Sequence, residues 1–191
     1  MRLFLITSLM LCYIYAASQN RAAFSSQNYI GLLEGQHGSS MQIQTINGAR
    51  LKSWFGGIGT GIDWYYQRSI PLFLSFSTDF GKIRNRNFFA AADGGVNFPW
   101  MTDNTNKDFG YTIYKTTPGA YLSLGVGYKM PVGKNNDAIL LQAAYSYKHI
   151  REHVAGSYYP PDVLPLLTED LTNRIDYYLH RFSFKIGWSF Q

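Results

Sequence analysis

The residues whose types could do chemistry gather near one end of the chain. "YSYKHIREH" supplies Ser146, His149, Glu152 and His153, and "YYLHRF" supplies His180. A serine, a histidine and a carboxylate brought together make an activated acyl-transfer nucleophile. Side chains alternate along a strand, however, and Ser146 falls on the opposite parity to His149. The nucleophile is missing where it is needed, so no catalytic residue is assigned and the chain is read as a non-enzyme. His149 and His180 have no third ligand, so no metal is expected. Asp103 and Asp108 lack the spacing of a calcium loop. No cofactor is expected.

Two other kinds of chemistry remain. His149, Arg151, His153, Arg174 and His180 form a basic rim suited to charge-assisted contacts with phosphate oxygens. A second set is sorted by sign along the chain. Asp63, Asp79 and Asp93 come first, and Lys129, Lys148, Arg181 and Lys185 follow, with Glu34 expected to join the acids. Four acids and four bases on one face would form a paired network, since buried charges are tolerated only when paired.

Strands must position these groups. Eight alternating segments are predicted, at 28–36, 40–49, 54–66, 69–80, 87–98, 119–130, 138–150 and 176–190. In the last, Phe182, Phe184, Ile186, Trp188 and Phe190 alternate with Arg181, Ser183, Lys185, Gly187 and Ser189. The fourth, sixth and seventh segments sort in the same way. The first two do not, and their register is left open. The polar face is rich in Gly and Ser and carries isolated charges. Small residues suit a narrow barrel interior, which puts the bulky apolar face outward. An apolar exterior fits lipid, and a closed barrel spans lipid with every backbone group satisfied. The predicted fold is therefore all-β, an eight-stranded antiparallel up-and-down transmembrane β-barrel. An interior of that size is filled by side chains.

Loop lengths agree with this reading. The connections at 99–118 and 151–174 are long and fall on the same side. The second, "REHVAGSYYPPDVLPLLTEDLTNR", is expected to fold back as a cap over the mouth, with a short helix in "PLLTEDLT".

The N-terminus reads "MRLFLITSLMLCYIYAASQN". One arginine, a short apolar run and Ala16-Ala17-Ser18 make a signal peptide over residues 1–18. Residues 19–27 form a lead and 28–191 the barrel domain. Cys12 is the only cysteine, so cleavage leaves no thiol. The net charge of +5 carries no basic stripe, which excludes nucleic acid as a partner. Aromatic residues make up 17% and charged residues only 15%, which is low for a soluble domain.

With its export signal, eight alternating segments and terminal "FSFKIGWSF", the chain resembles the small OmpA/OmpX-like outer-membrane barrels. The stretch "TINGARLKSWFGGIGTGIDWYYQRSIPLFLSF" is similar to the unassigned outer-membrane barrels of Bacteroidetes-type bacteria. The resemblance implies Sec export, insertion by the barrel-assembly machinery, a monomer in the outer membrane, and contact with lipopolysaccharide. The chain departs from the family by ending Phe190-Gln191 rather than on the aromatic itself. The expected function is a structural or surface-interaction barrel with a charge-plugged lumen. The alternatives are a deacylase- or acyltransferase-like lipid-modifying barrel and a secreted lipocalin-like carrier.

Overall fold

A computed structural model describes residues 22–83, 86–100, 105–106, 111–132, 137–157 and 170–191. The signal segment and the apolar centre of the 151–174 connection lie outside the described residues. The elements are β1 (Ala23–Gly35), β2 (Gly38–Leu51), β3 (Trp54–Asp63), β4 (Ser69–Ile83), β5 (Arg86–Pro99), β6 (Thr105–Asn106), β7 (Tyr111–Thr117), β8 (Gly119–Val132), β9 (Asp137–Ser157) and β10 (Asp170–Phe190).

Eight staves close into an antiparallel barrel. Each of β1 to β4 pairs with the next, β5 pairs with β8, and β8, β9 and β10 continue the ring. The seam joins β1 to β10, from Ser26 opposite Phe190 to Gly35 opposite Arg181. The eight predicted strands are these staves. β1 begins at Ala23 rather than Asn28, so most of the expected lead is strand.

The long connections differ from expectation. β7 continues the line of β8 upward along β9, interrupted at Pro118, which has no N–H to give a ladder. β9 and β10 also run on past the barrel, to Ser157 and from Asp170. Asp170–Thr172 of the predicted helix are strand. The third strand ends early as well. The Asp63 carboxylate accepts the Tyr65 N–H at 2.8 Å, a local bond that competes with the ladder and starts a turn.

The polarity is inside-out. Leu72, Leu74, Phe76, Leu124, Val126, Phe182, Phe184 and Ile186 are all exposed on the outer wall. Asp63, Asp93, Lys148, Arg181 and Lys185 are buried inside it. A lipocalin-like carrier requires the reverse. Trp54, Phe80, Phe88, Trp188 and Phe190 ring one end of the wall, and Trp64, Phe98, Trp100 and Tyr178 the other. These are the aromatic girdles of a membrane-spanning barrel.

Large rings also point inward, where only small and charged groups were expected. Tyr29, Phe55, Phe73, Phe89 and Leu140 form one buried cluster. The inward glycines make room for them. Gly59 is the cross-strand partner of Phe73, Gly127 of Phe89 and Gly187 of Tyr29. A Cβ at any of these glycines would overlap the facing ring.

Candidate functional site

The lumen is built in layers. At the upper end Leu33, Tyr65, Ile150 and Leu179 make an apolar plug. Beneath it Asp63 carries two bases. Arg181 bonds it directly through Nη1, and Lys148 Nζ lies 3.4 Å away. Arg181 also donates to Ser146 Oγ at 2.8 Å. Lys148 donates to the Tyr65 and Gln67 carbonyls and to Ser69 Oγ, at 2.9, 3.1 and 2.9 Å. In the middle Lys185 donates to Gln44 Oε1 at 2.9 Å and stands 3.9 Å from Asp93. Past the buried aromatic cluster, Asp79 takes Arg50 at 3.0 Å and Lys129 at 3.9 Å.

Seven of the eight residues proposed for the lumen thus come together in three groups. Glu34 does not join them. It sits on the outward parity with Ile30 and Leu32, is exposed, and accepts a bond from Ser39 Oγ across the β1–β2 hairpin. The open register of the first strand hid this, because Leu32 and Leu33 are equally apolar and face opposite ways. Arg50 was missed for a similar reason. It shares the inward parity of β2 with Gln42, Gln44 and Ile46, a mixture that does not announce a face.

On the outer side, the upper ends of β9 and β10 carry the basic rim. Asp176, which sequence reading did not single out, is its centre. His149 Nε2 lies 3.0 Å from its Oδ1, Arg151 Nε donates to the same oxygen at 2.7 Å, and Arg174 Nε donates to Oδ2 at 3.1 Å. The bond from Arg151 leads in holding the Asp176 carboxyl down at about 2, so it stays ionised. Tyr178 stacks on His149 at 5.1 Å and 10°. His153 faces Arg174 across the ladder and Lys115 on the other side. The only signal for Asp176 was its position opposite Arg151.

His180 stands apart from this cluster. Its Nδ1 bonds the Tyr145 hydroxyl on the outer wall. Ser146 is buried in the lumen against Arg181. The histidine and the serine are therefore on opposite sides of the sheet. No group of three or more His, Cys, Asp or Glu side chains that could hold a metal occurs among the described residues.

No family model and no curated protein sequence matches the chain. These comparisons do not support the expected assignment to the Bacteroidetes-type barrels. Among solved structures, the crystal structure of Neisserial surface protein A (NspA) is similar at a TM-score of 0.53 and 11% identity, over 89% of this chain and 98% of that one. Outer membrane protein AlkL, solved by solid-state NMR in lipid bilayers, aligns at 0.48 and 10% identity, over 90% of each chain. The likeness to NspA is one of fold: the chain is an all-β protein with the architecture of small outer-membrane barrels.

Proposed function

We propose that this protein is a non-enzymatic, monomeric outer-membrane barrel that works through its outward surface. In this reading it reaches the outer membrane by Sec export and the barrel-assembly machinery, and binds lipopolysaccharide phosphates at the β9–β10 rim. The observation that carries the reading is the height of the rim. Arg151, Arg174 and His149 gather beside Tyr178, directly beyond the apolar wall of Phe182, Phe184 and Ile186. Headgroup phosphates lie at that level. Arg151 spends its Nε on Asp176, which leaves its terminal amino groups for an external oxygen. Asp176 fixes the direction of both guanidinium groups and so reduces the ordering cost of binding.

The test is binding of lipopolysaccharide to the detergent-solubilised protein, with dephosphorylated lipopolysaccharide as the control. Replacing Arg151 and Arg174 together by Ala is expected to weaken binding by at least roughly tenfold, because each charge-assisted bond contributes about 1.5–3 kcal/mol. Equal affinity for the dephosphorylated form sinks the reading.

A further inference from the structure

The inner face of the same strands carries a second, separate feature. Glu152 on β9 is 4% exposed. The bases nearby on these strands, Arg151, His153 and Arg174, stand on the opposite parity and face outward. Lys148, the next base along the inner face, is engaged by Tyr65, Gln67, Ser69 and Asp63. Among the described residues no cation pairs with Glu152. Tyr177 is the next residue along the inner face of β10 from Ile175, which stands opposite Glu152, and its ring packs against Tyr66. Burial raises the Glu152 carboxyl above its ordinary range and raises the Tyr66 phenol as well. Thr116, the cross-strand partner of Glu152 on β7, has a buried hydroxyl with no partner.

Aromatic rings gather at the same end of the barrel. Tyr66 and Tyr177 have centroids 4.8 Å apart, and His37 lies 4.8 Å from Tyr66. Tyr66 is held in the left-handed region at φ 62°, a conformation that is costly for a bulky residue. It is 40% exposed, and its ring rests on Tyr177. A buried carboxylate needs a cation or a proton. Aromatic faces beside one carboxylate favour an organic ammonium. A calcium ion would want several more oxygens.

We propose that Glu152, Tyr66, Tyr177 and Thr116 form a site at the barrel mouth for an organic ammonium group, such as that of a primary amine. The ammonium ion-pairs with Glu152, donates to Thr116 Oγ1 and rests its alkyl end against Tyr66.

The experiment is an NMR titration of the full-length protein in detergent with n-butylammonium chloride, against sodium chloride at equal ionic strength. Saturable shifts of the Glu152 carboxyl and Tyr66 ring resonances are expected with the amine only. Glu152→Gln is expected to weaken binding at least tenfold and Tyr66→Leu to weaken it severalfold. Arg151→Ala, on the outer face, is expected to leave it unchanged. Each variant is checked for folding by its heat-dependent gel mobility. Tyr66→Leu carries the test if Glu152→Gln does not fold. Non-saturable shifts, equal shifts with sodium, or a Glu152 carboxyl that stays protonated at neutral pH when amine is added would each overturn the proposal.

Discussion

Asp63 is the most committed charge in the lumen. It is 1% exposed and holds Arg181, Lys148 and the Tyr65 N–H together. Asp79 holds Arg50 and Lys129 with a side chain 14% exposed. Removing one member of a buried pair leaves the other uncompensated, at a cost of about 3–5 kcal/mol. Asp63→Asn is expected to reach that range, and Asp79→Ala to fall short of it because the Asp79 side chain is the more exposed of the two. Urea unfolding in lipid vesicles, followed by tryptophan fluorescence, ranks the two. An Asp63→Asn protein as stable as the parent would show that the upper pairs contribute nothing net.

At the scale of elements, rings and glycines decide how neighbouring staves meet. Phe73 lies across Gly59, its partner on β3. Gly59→Ala is expected to cost about 1–3 kcal/mol through overpacking. Adding Phe73→Leu, which removes the obstructing ring, is expected to restore part of that loss. Thermal unfolding of the single and double variants forms the cycle that measures it. Additive losses would count against ring–glycine contact.

Much of the wall was legible in the sequence because the central stretches of β8 and β10 keep bulky apolar residues on one parity and small or charged ones on the other. "LSLGVG" and "FSFKIG" each declare a face. The inward rings were hidden because Tyr29, Phe73 and Phe89 look like members of an apolar face until their glycine partners on the neighbouring strands are known. The sign-sorted charges could be read from parity. Asp176 and Glu152 could not be given roles, because their surroundings depend on β7 and on the extended hairpin, which pair only through the register of the long connections.

At the scale of the whole molecule the described interior is layered. Apolar plug, ion pairs and aromatic cluster alternate from mouth to base. No conductance steps are therefore expected when the purified protein is added to a planar bilayer, beyond those of the detergent blank. Opening a path would require breaking charge pairs and displacing an apolar layer together, so a wide, stable channel in the parent protein would contradict the layered lumen.

The seam has a consequence for how the molecule comes into being. The stretch Ser26–Gly35 finds its neighbour in Arg181–Phe190, the two staves most distant along the chain. Neighbouring hairpins can form early, but the ring shuts only after nearly the entire polypeptide is available. That long-range step is entropically slow. Until it happens β1 and β10 each present a bare ladder of donors and acceptors, which invites pairing with another chain. A newly made copy must accordingly be kept apart from its fellows through transit, and truncation within "FSFKIGWSF" should release an adhesive, unfinished sheet rather than a smaller barrel.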